Sequence, residues 1–118
     1  MALGDGQTVQ NPADKRRAVR RRVLFSGKLV SHDGASTIDC TIRDLSSVGA
    51  KVRLAGTAPA PTDLWLIEVR EGLAFQCRIA WRDLPDVGLD FLSSYELKDA
   101  DTPELRMLKR IWIENAPR

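Results

Sequence analysis

The chain has 118 residues, of which 43% are hydrophobic and 29% charged, and its formal net charge is +2. This length and composition predict one soluble domain with a single core, because two cores would need a longer chain. No apolar run reaches the roughly 20 residues that span a bilayer, and the N-terminus lacks the apolar region of a secretory signal, so we expect a cytoplasmic protein without membrane insertion.

The first part of the chain divides into a leader and a basic arm. Residues 1–14 mix Gly, Asp, Gln, Asn and Pro without an apolar period, which predicts a flexible leader. Residues 15–22 hold six basic side chains against Asp5 and Asp14 upstream, so residues 1–22 carry +4 and residues 23–118 sum to −2. A domain that grips duplex nucleic acid spreads Lys and Arg over one face, whereas here only the arm is basic. We therefore expect no nucleic-acid partner.

From Val23 the chain consists of short runs rich in β-branched and aromatic residues, separated by turn signals. Their sequences are VLFSGKLVSH, STIDCTIRDL, AKVRL, LWLIEV, LAFQCRIAWR and VGLDF. Six strands at a spacing of about 8 to 12 residues predict a mainly all-β fold, an antiparallel barrel that is closed or nearly closed. Alternation places Ile38, Cys40 and Ile42 on one face and the polar residues between them on the other.

The segment TPELRMLKRIWIENAP predicts a C-terminal helix over about residues 102–115. Thr102 is a suitable N-cap, and Pro103 suits the first helical position. Apolar residues recur at three- to four-residue steps from Leu105 to Trp112, so the helix is predicted to close one end or face of the barrel. The basic residues 106, 109 and 110 are predicted to stay in water.

The sequence offers little for catalysis or metal binding. His32 is the one histidine, and it falls in the predicted hairpin VSHDGAS, where an exposed turn residue is the ordinary outcome. Cys40 and Cys77 lack CxxC spacing, so they predict buried reduced thiols rather than a disulfide or metal ligands. The carboxylates at positions 83, 86 and 90 are explained by solvation at turns and strand edges. We expect no catalytic residue, metal or cofactor.

Two short stretches go beyond what this composition requires. The arm contains the spacing RxxxR twice, as Arg16 to Arg20 and as Arg17 to Arg21. This spacing is weak by itself, because any dense arginine run generates it. The second stretch, DLSSVG, follows about two dozen residues later at the predicted end of the second strand.

The stretch DLSSVG has the pattern DxSxxG, which is the more specific signal. Its three fixed positions are Asp44, Ser46 and Gly49. With RxxxR before it and IAWR and VGLDF after it, the sequence resembles the PilZ domains over about residues 15–92. The resemblance implies a domain of residues 15–118, with a six-stranded antiparallel barrel over about 22–92 and a C-terminal helix. It also implies binding of the bacterial second messenger cyclic di-GMP.

The residue types suit that ligand. An arginine donates two hydrogen bonds to guanine O6 and N7, pairs with phosphate or stacks on a base. The carboxylate of Asp44 accepts from guanine N1–H and N2–H, and the hydroxyl of Ser46 adds a bond to base or phosphate. Gly49 permits a positive φ or a close backbone approach. In the alternative interpretation, Asp44 and Ser46 only cap the amides of a β-turn.

Three further candidates follow the second motif. Lys51 and Arg53 are predicted to share a face with Gly49, where they either contact a phosphate or are ordinary solvated strand residues. Trp81 is either a core or rim residue or a platform on which a base stacks. Trp65 and Trp112 are predicted to be structural.

The resemblance implies a binding switch. The ligand phosphates are expected to neutralise the arginine arm and fold it against the barrel, and a protein partner reads the new surface. PilZ-like domains act in motility, surface attachment, polysaccharide secretion or cell-cycle control. Two alternatives stay open, a PilZ-like interaction module that binds no nucleotide and a nucleic-acid binder that uses the arm. The sequence leaves open which RxxxR pair acts, with Arg16 and Arg20 favoured.

Overall fold

The computed structural model describes residues 19–56 and 63–115, which form a closed antiparallel barrel and a helix. The leader and the arm residues Arg16 and Arg17 lie outside the described residues. The strands and helix are β1 Arg21–Ser31, β2 Thr37–Leu45, β3 Gly49–Leu54, β4 Asp63–Glu68, β5 Leu73–Asp83, β6 Asp86–Glu96 and α1 Pro103–Asn115. The order around the barrel is β1-β2-β3-β6-β5-β4. The prediction of a six-stranded barrel with a C-terminal helix is confirmed, although β6 runs five residues beyond the predicted VGLDF.

The barrel interior is filled by alternate residues of the strands. Ile42, Val52, Leu66 and Val87 are each 0% exposed there. Burying one such side chain contributes about 1.5–3 kcal/mol to stability. The predicted alternation of β2 is confirmed, because Cys40 and Ile42 are buried while Asp39 and Arg43 are exposed.

Helix α1 packs on the outside of the barrel, against β1, β4 and β5, rather than across its end. Leu105 and Leu108 join Trp65 and Ile67 in a second core between the helix and the sheet. The backbone N–H of Leu105 donates to Thr102 Oγ1 at 3.1 Å, as expected of an N-cap. In the part of the chain that the structure describes, no helix has the length and apolar character to cross a membrane.

Two tight turns of the barrel fix the helix along its length. Gly34, in the β1–β2 turn, lies against the side chain of Met107, and Gly72, in the β4–β5 turn, lies against the ring of Trp112. Both glycines have positive φ, 78° and 74°. The indole N–H of Trp112 also donates to the Val69 carbonyl at 2.8 Å, so the prediction that this tryptophan is structural agrees with its contacts. Lys109, expected in water, is half-buried, and its Nζ donates to the Lys98 carbonyl at 3.4 Å.

A bulge in β2 decides which way Asp44 points. Ile42 pairs with Val52 and faces the interior, and Asp44 pairs with Lys51, so β2 uses two residues where β3 uses one. The extra residue, Arg43, shifts the alternation by one position. Without the bulge, the same residues would alternate regularly, and Asp44 would face the core like Ile42. With it, Asp44 lies on the outer face of the barrel beside Lys51.

Candidate functional site

Five residues form one row across five neighbouring strands, β1, β2, β3, β6 and β5. Arg22 pairs with Asp44, Asp44 with Lys51, Lys51 with Gly88, and Gly88 with Trp81. Directly opposed residues of antiparallel strands project from the same face. The row, which we call the cross-strand row, therefore places two cations, a carboxylate and an indole on one outer surface.

The carboxylate of Asp44 is held by a cation in the row. Lys51 Nζ lies 3.4 Å from Asp44 Oδ2. The two side chains are 38% and 20% exposed, so the pair is open to water and is worth little to stability. The carboxylate is fixed in position while it stays accessible from outside, which is the arrangement a ligand-binding acceptor needs.

Ser46 organises the turn between β2 and β3. Its Oγ accepts from the backbone N–H groups of Val48 and Gly49, both at 3.2 Å. The hydroxyl donates in turn to the Gly49 carbonyl at 3.3 Å, and the Ser46 N–H reaches that carbonyl at 2.9 Å. A hydroxyl has one donor and two acceptor positions, so all three are used within the turn. This geometry agrees with the capping interpretation of Ser46, and its contact with a ligand stays a prediction.

Gly49 is required because strands β3 and β6 approach closely. A Cβ at this position would lie 2.5 Å from the carbonyl oxygen of Leu89, which is backbone and cannot move aside cheaply. Gly49 does not have positive φ, since that conformation is found only at Gly34 and Gly72 in the described residues. Of the two reasons predicted for this glycine, the structure supports the close approach.

Trp81 lies on the outer surface, with 44% of the residue exposed. Its indole covers Gly88, where an added Cβ would collide with the ring atoms Nε1, Cε2 and Cδ1. Strand β5 has an irregularity between Ile79 and Trp81, where Ala80 is the additional residue. Trp81 is thus a rim residue with a fixed, partly exposed ring. The sequence analysis did not identify Gly88 as the residue on which this ring packs.

Arg53 shares the outer face with Gly49 and Lys51, as predicted, but it is already paired. Its Nε and Nη2 donate to the two carboxylate oxygens of Asp86 at 2.9 and 3.4 Å. This bidentate bond raises the pKa of Arg53 and lowers the pKa of Asp86 below its ordinary value of 3.8. The positive charge of Lys51 and Arg43 lowers the pKa of Asp86 further. A phosphate would have to compete with Asp86 for Arg53.

The described part of the arm begins beside the cross-strand row. Arg20 and Arg21 are exposed, and Arg21 is the first residue of β1, opposite Leu45. Arg22, which lies in neither RxxxR pair, is the residue that the sheet places opposite Asp44. Only the pairing register of β1 with β2 could have identified it. Of the described residues that the sequence assigned to the site, Asp44, Lys51 and Trp81 lie in the row, Gly49 and Arg53 share its face on β3, and Ser46 lies in the turn after β2. Arg21 is opposite Leu45 and so projects from the other face than Asp44, and Arg20 precedes β1.

The residues that the sequence analysis considered for catalysis or metal binding have ordinary surroundings. His32 is exposed in the β1–β2 turn. Cys40 and Cys77 are free and buried, and burial raises the pKa of each thiol to about 12. Within residues 19–56 and 63–115, no three His, Cys, Asp or Glu side chains are grouped so that they could hold a metal ion.

Comparisons with known proteins agree with this fold. The family model described as PilZ domain matches residues 14–110. The fold is similar to a solved structure described as the PilZ domain of CeSA from a cellulose synthesizing bacterium, with a TM-score of 0.52 and 17% identity over 81% of this chain and 96% of that one. At this identity the likeness shows the fold alone. Among curated proteins, none matches the chain.

Proposed function

Because the chain belongs to the PilZ family, we propose that it is a cyclic di-GMP receptor and not an enzyme. Members of this family are generally ligand-binding regulatory modules, and the cross-strand row gives this member the groups that such a ligand needs. The observation that carries the proposal is the pairing of Arg22 with Asp44 and of Asp44 with Lys51. This register joins the DxSxxG motif to the end of the arginine arm on one surface.

The proposed division of roles follows the chemistry of guanine and phosphate. The Asp44 carboxylate accepts from guanine N1–H and N2–H, which distinguishes guanine from adenine. Arginines at positions 16 and 20, together with Arg22, bond guanine O6 and N7 or the phosphates. The exposed ring of Trp81 offers a surface on which a base stacks. Ser46 and Gly49 then act by holding the β2–β3 turn in shape.

Lys51 and Arg53 have different roles in this proposal. Lys51 gives up its 3.4 Å contact with Asp44 when guanine takes the carboxylate, and its ammonium is then free for a phosphate. Arg53 keeps Asp86, because its bond there is bidentate. We therefore expect a larger loss of affinity from Lys51→Ala than from Arg53→Ala, which isothermal titration calorimetry measures directly.

We propose that binding acts as a switch. Ligand phosphates neutralise the arm, which folds over the cross-strand row, and a protein partner recognises the changed surface. This role places the protein in the bacterial cytoplasm, in the control of motility or biofilm formation. In this proposal the chain needs no cofactor and no nucleic acid.

The test is a calorimetric titration of the whole protein with cyclic di-GMP, with GTP and cyclic di-AMP as comparison ligands. Micromolar binding corresponds to about −8 kcal/mol. Losing a charge-assisted bond of about 1.5–3 kcal/mol lowers affinity at least tenfold. The double variant Arg16→Ala, Arg20→Ala and the single variant Asp44→Asn should therefore each bind cyclic di-GMP at least tenfold more weakly. Arg106→Ala is the matched control, because Arg106 is exposed on α1, away from the row.

The negative outcomes are equally informative. No heat with cyclic di-GMP up to about 100 μM would overturn the receptor function and favour an interaction module that binds no nucleotide. Binding of DNA or RNA with a steep salt dependence, together with indifference to cyclic di-GMP, would favour the nucleic-acid binder instead.

A further inference from the structure

The second half of strand β6 is an edge, although the barrel as a whole is closed. The ladder between β3 and β6 ends where Gly49 pairs with Asp90. Beyond that point, residues 93–96 pair with β5 alone, and Leu92 is the extra residue of an irregularity opposite Gln76 and Cys77. One more backbone bond, from the Phe91 N–H to the Val48 carbonyl at 2.9 Å, closes this side. The rest of β6 therefore has one side without a neighbouring strand among the described residues.

The hydrogen-bonding groups on the open side belong to alternate residues. The Leu97 N–H donates to the Gly72 carbonyl at 2.8 Å, on the β5 side. Backbone groups alternate along a strand, so Ser93 and Tyr95 also face β5, while Ser94 and Glu96 face away from it. Ser94 and Glu96 are exposed, and neither N–H donates to the backbone of a described residue on the side away from β5. Within residues 19–56 and 63–115, the N–H and carbonyl of Ser94 and the N–H of Glu96 therefore have no backbone partner.

A groove with an apolar floor runs beside this edge. Two adjoining clefts of about 470 and 320 Å³ both include Leu73 and Phe75 in their lining. Phe75 stacks on Phe91, with ring centroids 4.1 Å apart, which fixes the floor. The wall opposite the edge contains Arg21 and Ser46, and the edge itself contributes Glu96. The groove therefore has Arg21 on one wall and the carboxylates of Glu96 and Asp99 on the other, where Glu96 Oε1 contacts Lys98 Nζ at 3.4 Å.

We infer that the Ser94–Glu96 edge and this groove, which we call the edge groove, bind an extended segment of a partner protein as an added strand. The open groups of the edge suit an extended backbone, since a helix satisfies its own N–H and carbonyl groups. An antiparallel strand makes two hydrogen bonds with Ser94 and one with Glu96. The apolar floor selects an apolar side chain. Arg21 selects an acidic residue, and the wall with Glu96 and Asp99 selects a basic residue.

A pair of proline substitutions tests the direction of the backbone groups. Ser94→Pro removes an N–H that has no partner in the sheet, so the barrel should fold with a melting temperature within a few degrees of the parent. Ser93→Pro removes an N–H that bonds β5 and should lower it clearly more. Equal losses in the two variants would mean that Ser94 does not face an open side, which would overturn the inference.

The docking itself is tested on the full chain with a displayed library of random eight-residue peptides, using Ser94→Pro for counter-selection. We expect enriched peptides with apolar residues at alternate positions flanked by an acidic and a basic residue. A synthetic peptide of that sequence should slow exchange of the Ser94 and Glu96 amides about tenfold or more and bind Ser94→Pro at least about tenfold more weakly. Failure to enrich any peptide that depends on Ser94 would overturn the inference.

Hydrogen exchange of the free protein separates the other occupants. If both amides already exchange slowly at every protein concentration, residues of the same chain occupy the edge groove. If they become protected only as the concentration rises, a second copy occupies it. Either result contradicts a partner segment, and fast exchange in the free protein supports one. The measurement needs no cyclic di-GMP, so its outcome is independent of the proposed receptor function.

Discussion

Trp81 lies directly over Gly88, its partner across strands β5 and β6. The glycine leaves the space that the indole fills, and the indole in turn covers the glycine, which is buried. The exposed face of the ring is thereby presented at a fixed height above the sheet, beside Lys51. Its orientation depends on the absence of one side chain.

We predict that Gly88→Ala displaces the indole. The added methyl group collides with the ring, so the substitution should cost about 1–3 kcal/mol of unfolding free energy and weaken cyclic di-GMP binding if Trp81 stacks on a base. Urea denaturation and calorimetric titration measure the two effects. Gly56→Ala is the control, because a Cβ there meets nothing within 4 Å, and it should change stability by less than about 0.5 kcal/mol. Equal changes of stability and affinity in the two variants would contradict the packing of the Trp81 ring on Gly88.

Ser46→Ala tests whether the motif serine acts through the turn. The substitution leaves the N–H groups of Val48 and Gly49 without their acceptor, so we expect a loss of about 0.5–2 kcal/mol in the absence of any ligand. Ser47→Ala, at the exposed neighbouring position, should have almost no effect. Denaturation of both variants without nucleotide is the measurement. A Ser46→Ala protein as stable as the parent would contradict a role of the hydroxyl in the turn.

The pair of Arg53 and Asp86 predicts a specific titration. Because the arginine lowers the pKa of Asp86 below 3.8, the pair stabilises the fold above that value, and the stabilisation is lost as pH falls through the lowered pKa. In Arg53→Gln the pKa of Asp86 should rise toward 3.8. Carboxyl NMR shifts of Asp86 between pH 2 and 6 follow this change. An unchanged titration in the variant would mean that the lowered pKa has another cause.

The two buried thiols predict a resistance to alkylation and a loss of stability in strong base. Burial raises the pKa of Cys40 and of Cys77 from 9.0 to about 12. Above pH 9 the thiols ionise in the unfolded chain before they ionise in the native protein. The stability that the protonated thiols contribute is therefore complete below pH 9 and is lost as pH rises from about 9 to 12. At pH 8 the native protein should not react with a thiol reagent, whereas the chain in guanidinium should titrate both cysteines. Rapid reaction of the native protein would contradict their burial.

The sequence predicted the barrel because local signals agree with the fold. Strand alternation in β2, the cap at Thr102 and the apolar spacing of α1 are all properties of neighbours in the chain. What the sequence could not predict depends on pairing between strands. Alternation alone would have placed Asp44 inside, and nothing local distinguishes Arg22 from the arginines before it. The packing of the Trp81 ring on Gly88 also requires the register of β5 with β6.

The bulge at Arg43 means that the pairing register of β2 with β3, rather than the identity of the motif residues, decides whether the motif carboxylate is accessible. A chain that paired β2 with β3 without this bulge would keep the letters DxSxxG intact and yet turn Asp44 toward the core. An uncompensated buried carboxylate is costly, so such a chain would destabilise its barrel or slip its register. A search for receptors by motif letters alone would accept that chain. The bulge between Ile42 and Asp44 is therefore part of the signature.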